Sequence, residues 1–273
     1  MFRELEHGES ILEGILHADS IGFHAYDHAR HFLNASKRIL GLVSESLVGG
    51  LIGVRHRNTK VIVTISNVSI ESNVISRAMT STLVLEGAKR LTDRHGERTI
   101  IAGLDIAQGL SGLSLKLLAY EKLLADYPNW QGKVVLVQRC LIPGSRVADE
   151  ADTLSHVRYL VERIWKGFGD DVIDYVEIMG SMLLMACRLV LWLASDVFMS
   201  TPIREGLNLL PLEYVFSRRS PATPGVTITS EFRTVRTILN GALRVNPFDI
   251  QVSSTSIDTA LTMEMNERIS RRD

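Results

Sequence analysis

One segment of the chain, residues 201–214, combines residue types whose spacing suits the binding of a phosphate followed by a sugar. Asn208 is a preferred N-cap residue and Pro211 suits a first turn, so a helix is predicted to begin here. The backbone N–H groups at such a helix start favour an anion. Glu213, within the first turn, offers a carboxylate that accepts hydrogen bonds from sugar hydroxyls. The same pattern also suits an ordinary strand-to-helix turn of an α/β domain.

Composition and charge argue against several classes of function. The chain has 273 residues, of which 45% are hydrophobic, enough for one large or two modest domains. Its net charge of −1 argues against a general nucleic-acid binder and against a polybasic membrane anchor. Residues 1–10 are charged and lack the apolar core of a targeting signal. The sequence therefore predicts a cytoplasmic protein without a nucleic-acid or membrane partner.

The cysteines and the longest apolar run predict structural roles. Cys140 and Cys187 both lie in apolar stretches and are expected to be buried thiols. Residues 182–194 are too few to span a bilayer and are interrupted by Arg188, which is expected to pair with a buried carboxylate rather than bind a ligand. Three histidines lie close together but are expected on a helix surface or cap rather than around a metal: His24, His28 and His31.

From about residue 97 onward, apolar strands alternate with helical patterns, which predicts a parallel sheet covered by helices on both faces. The predicted strands are 98–104, 133–139, 171–177, 196–200, 224–230 and 242–245. The predicted helices are 114–127, 152–168, 182–194 and 256–268. Ligands of such sheets bind at the carboxyl ends of the strands, which is where residues 205–208 are expected.

The first part of the chain is less regular. The predicted elements are a short helix at 10–17, a strand at 20–23, a helix at 26–40, a hairpin at 51–70 that turns near 57–58, and a long helix at 73–94. These contain too few strands for a complete parallel domain. The sequence therefore predicts an incomplete N-terminal domain over residues 1–96 and a complete one over residues 97–273.

With these segments placed, the chain resembles the trehalose-6-phosphate synthase family, retaining glycosyltransferases with two Rossmann-like domains (the GT-B fold). Residues 19–33, DSIGFHAYDHARHFL, resemble the family's D-L-I-G-F-H-T-Y-D-Y-A-R-H-F-L. Residues 204–208, REGLN, resemble R-D-G-M-N. Further segments match in the family's order over nearly the whole chain: KLLAYE at 116–121, GKVVLVQ at 132–138, SEF at 230–232 and VNPF at 245–248.

The resemblance implies transfer of glucose from UDP-glucose to glucose 6-phosphate, with retention of configuration and without a metal or other cofactor. It implies catalytic positions at Asp19, matching an aspartate near the sugars, and at Glu205, matching the acidic residue that contacts the donor glucose. Glu213 matches the carboxylate that holds the ribose, and Arg146 an arginine near the acceptor phosphate. The other substrate-binding positions implied are Gly206, Asn208 and the backbone N–H groups of Leu209 and Leu210.

The chain departs from the family at the phosphate clamp, R-x-D-Y-x-K-G. Ile106 stands at the position of the clamp arginine and Ser111 at that of the clamp lysine, so both positive charges are absent. Lys116 lies inside the following helix, and Arg139, at the end of a neighbouring strand, is the substitute that the sequence offers. Losing one such transition-state contact typically costs roughly 2.7–4 kcal/mol.

The sequence thus leaves three hypotheses open. The first is an active or weakly active synthase. The second is a catalytically impaired paralogue that binds sugar phosphates or synthase partners and regulates trehalose metabolism. The third is a fragment without an independent role, because the sequence begins where the family is already well into its first domain. The expected partners are UDP-glucose, glucose 6-phosphate, and full-length synthase subunits or a trehalose phosphatase.

Overall fold

The computed structural model describes residues 4–66, 69–219, 222–232 and 239–272. The chain forms two compact units, Met1–Ser69 and Ile70–Asp273. Within the described ranges, no helix is both long and apolar enough to cross a membrane.

The first unit is a small mixed sheet covered by helices. Its helices are α1 (Gly8–Ile15) and α2 (Tyr26–Leu40), and its strands are β1 (Ser20–Phe23), β2 (Ser44–Ser46), β3 (Ile52–His56) and β4 (Thr59–Ile65). The strand order is β1-β4-β3-β2, with β1 parallel to β4 and the other pairs antiparallel. The core includes Leu12, Leu16 and Phe32 against Val61 and Val63.

The predicted hairpin is confirmed as β3 and β4. Its turn lies at Arg57-Asn58, where Arg57 adopts a left-handed backbone with φ 54°. Residues 67 and 68, near the end of the predicted hairpin segment, lie outside the described residues.

The second unit is built on a parallel sheet, as predicted. Its strands are β5 (Thr99–Ile106), β6 (Val134–Ile142), β7 (Ile173–Met179), β8 (Val197–Ser200), β9 (Val226–Ser230) and β10 (Leu243–Val245). Its helices are α3 (Ser72–Met79), α4 (Thr82–His95), α5 (Leu113–Asp126), α6 (Val147–Phe168), α7 (Met185–Ala194), α8 (Leu210–Ser217), α9 (Ile250–Thr262) and α10 (Met265–Arg272). Within the described residues the strand order is β10-β9-β8-β5-β6-β7, and every pair is parallel.

The sheet has a separate apolar core on each face, because successive side chains of a strand point to opposite sides. On β5, Ile101 packs with α5, α6 and α9, whereas Ile100 packs with α3, α4, α7 and α8. This arrangement explains why the central strands read as continuous apolar runs, since helices cover both faces of the sheet there.

The structure differs from the sequence prediction at two helices. The predicted helix 73–94 is two helices, α3 and α4, with a break where Thr80 Oγ1 donates to Arg77 O at 3.0 Å and Ser81 Oγ donates to Ala78 O at 2.7 Å. Such hydroxyl-to-carbonyl bonds compete with helix continuation. The predicted helix 256–268 is also two helices, α9 and α10, and α9 begins earlier, where Asp249 Oδ1 accepts a hydrogen bond from Val252 N.

The compact units divide after Ser69, whereas the sequence predicts a domain boundary after residue 96. The reason lies in packing: Ile75 of α3 and Val84 of α4 belong to the apolar core of the second unit. The apolar faces of these helices therefore bury surface against α7 and the sheet of the second unit.

Candidate functional site

A cavity of about 540 Å³ lies at the carboxyl ends of β5 and β8, and we call it the edge pocket. Its wall includes residues 104–106 at the end of β5, residues 108, 110 and 111 after it, residues 181–183 after β7, Arg188 of α7, and residues between the end of β8 and the first turn of α8 (200, 202, 204, 205, 207–210 and 213). The chain runs from β5 to β6 on one side of the sheet and later returns to β8 on the other side. The edge pocket thus lies at the topological switch point, the usual ligand position of an open parallel sheet.

The start of α8 is held by Asn208. The helix begins at Leu210 with Leu209 in the N-cap position, one residue later than predicted, and Asn208 Oδ1 accepts a hydrogen bond from Leu210 N at 2.8 Å. Asn208 Nδ2 also donates to Glu205 Oε1 at 2.8 Å. A single amide side chain therefore fixes the helix start and the carboxylate of Glu205 relative to each other. Gly206 lies between them along the chain.

Glu213 forms a buried ion pair with Arg188 of α7. Arg188 Nε donates to Glu213 Oε2 at 2.9 Å and Arg188 Nη2 donates to Glu213 Oε1 at 3.1 Å. Arg188 Nη1 donates to Leu183 O at 2.6 Å, in the loop after β7. The expectation that Arg188 pairs with a buried carboxylate is confirmed. The guanidinium joins α8 to that loop across the wall of the edge pocket.

Below the edge pocket, Asp105, Lys116 and Gln138 form a buried polar network. Lys116 is fully buried and its Nζ pairs with Asp105 Oδ2, while Gln138 Nε2 donates to the same oxygen at 2.8 Å. Gly103 is required beside them, since a Cβ there would lie 1.9 Å from Gln138 Oε1. Lys116 is therefore committed to the interior of the sheet, in agreement with its expected position inside α5.

The two clamp positions face the edge pocket without charge. Ile106, with 37% of its surface exposed, and Ser111 both line the pocket. Among the described residues, the cations that line it are Arg188, already paired with Glu213, and the exposed Arg204.

Arg139 does not serve as the substitute cation that the sequence offered. It is absent from the lining of the edge pocket among the described residues, and its Nη1 donates to Asp174 Oδ1 on β7 at 2.9 Å. Burial alone would raise the pKa of Asp174, but hydrogen bonds from Arg139 and nearby positive charges hold this pKa below its usual value. The pair is thus a stable structural contact between β6 and β7.

Arg146 lies at the same carboxyl edge of the sheet, at the N-cap of α6 after β6, the strand that neighbours β5. It is exposed and, within the part of the chain that the structure describes, does not line the edge pocket. Buried Glu150 holds its loop by accepting hydrogen bonds from the backbone N–H groups of Gly144, Ser145 and Arg146, each at 3.0 Å. This carboxylate was not singled out as a site residue by sequence reasoning, although the acidic residues at 149, 150 and 152, near the start of the predicted helix 152–168, are a signal for it.

Asp19 belongs to the first unit, where it precedes β1. Its side chain is exposed, and its backbone oxygen accepts a hydrogen bond from Ile62 N at 3.0 Å.

The cysteines differ from each other. Cys140 is buried, and burial raises the pKa of its thiol to about 12. Cys187 is exposed, which corrects the expectation of two buried thiols, because it faces a groove that residues of α4 and α7 line. In the described residues, no group of three or more His, Cys, Asp or Glu side chains is placed to hold a metal ion.

The fold and the edge pocket define a class of protein. An open parallel sheet with a pocket at its switch point, beside a helix start with an anion-attracting end, is the architecture of Rossmann-like domains. The whole chain, residues 1–273, matches the family described as glycosyltransferase family 20. The chain therefore belongs to glycosyltransferase family 20, which confirms the family resemblance.

Two relatives illustrate the match. Alpha,alpha-trehalose-phosphate synthase [UDP-forming] 6 of Arabidopsis thaliana is 30% identical, with 100% of this chain and 34% of the relative covered. Alpha,alpha-trehalose-phosphate synthase [UDP-forming] of Schizosaccharomyces pombe is 34% identical, with 98% of this chain and 51% of the relative covered. The chain thus spans between a third and a half of the length of these relatives.

Solved structures of similar proteins have the same fold as this chain. The E. coli protein bound with UDP-2-fluoro glucose superposes with a TM-score of 0.87 at 26% identity, covering 99% of this chain and 59% of that one. The N-terminal domain of Candida albicans trehalose-6-phosphate phosphatase gives a TM-score of 0.89 at 26% identity, covering 99% and 56%. The GT-B fold of the trehalose-phosphate synthases is thereby confirmed for this chain.

Proposed function

We propose that this chain carries out glucosyl transfer from UDP-glucose to glucose 6-phosphate, as a trehalose-6-phosphate synthase of glycosyltransferase family 20. The observation that supports this most is the edge pocket, where Glu205, Asn208 and Glu213 surround the start of α8. The S. pombe and Arabidopsis relatives bear the name of this UDP-forming activity.

The residues of the edge pocket have complementary roles in this proposal. The start of α8, with the backbone N–H groups of Leu209 and Leu210, faces the diphosphate, and Asn208 releases the Leu210 N–H when the diphosphate binds. Glu205 accepts hydrogen bonds from the donor glucose. Glu213 accepts hydrogen bonds from the ribose, with its carboxylate oriented by Arg188.

The acceptor roles lie outside the edge pocket. Arg146 binds the phosphate of glucose 6-phosphate, because an exposed guanidinium on a loop fixed by Glu150 suits a phosphate dianion. Asp19, in the first unit, is assigned to the sugars by its match to the family motif.

In the proposed reaction, the departure of UDP is the step that most requires stabilisation by the protein. Negative charge accumulates on the distal phosphate, and preorganised positive groups there lower the barrier. With Ile106 and Ser111 at the clamp positions, two such groups are missing from the edge pocket. If their effects add, turnover is slower by roughly 10⁴–10⁶ than with the clamp intact.

These neutral side chains favour a second candidate function, a chain that binds UDP-glucose and synthase partners and regulates trehalose metabolism with little turnover. The two candidates differ in turnover and agree in nucleotide binding. Exposed Arg204, the cation of the pocket wall that is not paired with Glu213, is the group that would favour the first.

The experiment measures UDP binding by calorimetry and glucosyl transfer from UDP-glucose, first in the chain as it stands and then in Ile106→Arg with Ser111→Lys. The matched control, Leu83→Arg with Ser155→Lys, adds the same charge at exposed positions on α4 and α6. Ready turnover by the unaltered chain supports the synthase. UDP binding with turnover only after Ile106→Arg and Ser111→Lys supports the regulatory candidate. If neither the unaltered chain nor the variant with Ile106→Arg and Ser111→Lys binds UDP, both candidate functions are contradicted.

A further inference from the structure

The clamp loop, residues 106–112, packs directly against the segment that follows β8. Ile203 N donates a hydrogen bond to Leu110 O at 2.9 Å, and Arg204 N lies 3.5 Å from the same oxygen. The backbone of Arg204 is therefore beside Leu110, the residue before Ser111, where the family's clamp lysine would stand.

The contact between these two segments is close and anchored. Gly112 adopts a left-handed backbone with φ 70°, and a Cβ there would lie 1.9 Å from Thr201 O. A residue with a side chain could not approach so closely. At the other end of the same turn, Gly109 N donates to Asp149 Oδ1 at 3.1 Å. The clamp loop and the backbone of Arg204 are thus fixed relative to each other.

The side chain of Arg204 lines the edge pocket together with the neutral clamp positions Ile106 and Ser111. It is exposed, so it can change its rotamer without disturbing the packing of the pocket wall. Arg188, the other cation that lines the pocket in the described part of the chain, donates to both carboxylate oxygens of Glu213 and to a backbone carbonyl. Arg204 is therefore the guanidinium that can approach a ligand from the side of the clamp loop.

We propose that Arg204 binds the distal phosphate and stabilises the departing UDP, supplying from the segment after β8 a positive charge that the clamp positions lack. This inference rests on the proposed glucosyl transfer. In that reaction the bond between the anomeric carbon of glucose and the distal-phosphate oxygen breaks, and its electron pair stays on that oxygen. The acceptor hydroxyl oxygen bonds to the anomeric carbon, and its proton is released to solvent. Arg204 donates hydrogen bonds to the phosphate throughout.

The contact made by Arg204 becomes stronger as the reaction proceeds. The distal phosphate gains negative charge when the glucose leaves it, and hydrogen bonds from a guanidinium strengthen with the charge of the acceptor. Arg204 therefore favours released UDP over bound UDP-glucose. A contact that strengthens between the ground state and the transition state lowers the barrier, whereas one that is equal in both does not.

The first test is nucleotide binding by calorimetry, which does not require turnover. The probes are UDP, UDP-glucose and uridine, and the variants are Arg204→Gln and the charge-conserving Arg204→Lys. We expect Arg204→Gln to weaken UDP at least about tenfold, as the loss of a charge-assisted hydrogen bond does, to weaken UDP-glucose less, and to leave uridine unchanged. Arg204→Lys is expected to retain most of the UDP affinity. Arg163→Gln is the matched control, since Arg163 is 40% exposed and pairs with Glu121.

The second test returns a cation to the clamp loop. In the Arg204→Gln background, Ser111→Lys is expected to restore the preference for UDP over UDP-glucose, because both side chains would act on the same phosphate. Ser155→Lys, at an exposed position on α6, adds the same charge and is expected to restore nothing. In assays of glucosyl transfer, Arg204→Gln is expected to lower kcat by about 10²–10³-fold with a smaller change in KM for UDP-glucose.

Three outcomes overturn the proposal: unchanged UDP affinity in Arg204→Gln, equal weakening of UDP, UDP-glucose and uridine, or rescue by Ser155→Lys as complete as by Ser111→Lys. The proposed function fails separately. Absence of turnover together with a preference for UDP that depends on Arg204 contradicts the synthase and supports the phosphate contact. Turnover that Arg204→Gln does not alter contradicts the role of Arg204 and leaves the synthase in place. If the unaltered chain does not bind UDP, both are contradicted.

Discussion

The ion pair between Arg188 and Glu213 predicts that the substitution Arg188→Gln strongly lowers the free energy of unfolding. The two carboxylate oxygens accept hydrogen bonds at 2.9 and 3.1 Å, and the Glu213 side chain is 5% exposed. Removing one partner of a buried pair leaves the other charge uncompensated, which costs about 3–5 kcal/mol. Because a domain is stable by only about 5–15 kcal/mol, Arg188→Gln is expected to fold with a much reduced free energy of unfolding.

The prediction is measured by urea unfolding of the wild type, Arg188→Gln, Glu213→Gln and the double variant. The double variant removes both charges, so it is expected to be more stable than the sum of the single effects implies, with a coupling energy of about 0.5–3 kcal/mol. Arg158→Gln is the control, because its pair with Glu177 lies at the surface and contributes about 0–1 kcal/mol.

The same variant affects the ligand. Without Arg188, the Glu213 carboxylate would stand in the edge pocket as an unbalanced negative charge beside the UDP diphosphate. UDP affinity is therefore expected to fall more than uridine affinity, whereas a loss of shape would weaken both alike. Equal stability of Arg188→Gln and wild type, or single effects that add without coupling, would refute the reasoning.

Three further predictions follow from buried groups. Glu150→Gln replaces a carboxylate that accepts three N–H groups, so it is expected to lower the free energy of unfolding by about 1–3 kcal/mol and to raise KM for glucose 6-phosphate, both measured on the purified variant. A thiol reagent is expected to modify Cys187 in the folded chain and Cys140 only after unfolding, since burial raises the Cys140 pKa to about 12. Burial lowers the pKa of His95 below 6.5 despite the opposing effect of Asp174, so the unfolded chain takes up the proton first. Stability is therefore retained above pH 6.5 and lost as the pH falls, and His95→Gln is expected to reduce that slope in urea unfolding at several pH values.

The strands of the second unit could be predicted because strands that are buried on both faces appear in the sequence as runs of apolar residues. β6 reads Val-Val-Leu-Val-Gln-Arg-Cys-Leu-Ile. A strand that packs against helices on both faces lacks the regular alternation of polar and apolar residues that a half-exposed strand shows. The helix start after β8 was predictable because the end of the strand, Asn208 and Pro211 follow each other closely along the chain. The location of this helix start at the carboxyl edge of the sheet then followed, because the strands were predicted to be parallel.

What the sequence could not show is which charges meet. Arg139 ends the predicted strand 133–139, yet its partner Asp174 lies 35 residues away on β7, and only the parallel register brings them together. Arg188 was expected to have a carboxylate partner, but the choice of Glu213 depends on how α7 and α8 pack. The break between α3 and α4 depends on two hydroxyl contacts, a local competition that apolar periodicity does not record.

These ion pairs determine how much uncompensated positive charge the edge pocket can offer to a diphosphate. Lys116 is neutralised by Asp105 and Arg188 by Glu213, so neither buried cation has uncompensated charge to offer. The helix start at residues 209–210 carries only about half an elementary charge, and this field acts on bound UDP and on departing UDP alike. Catalysis requires stabilisation that increases in the transition state, whereas a fixed field of this kind favours binding in both states. On the proposed function, the fixed groups of the edge pocket therefore favour the bound diphosphate in both states, and exposed Arg204 is the lining cation, among the described residues, that is placed to act on the distal phosphate as the bond breaks.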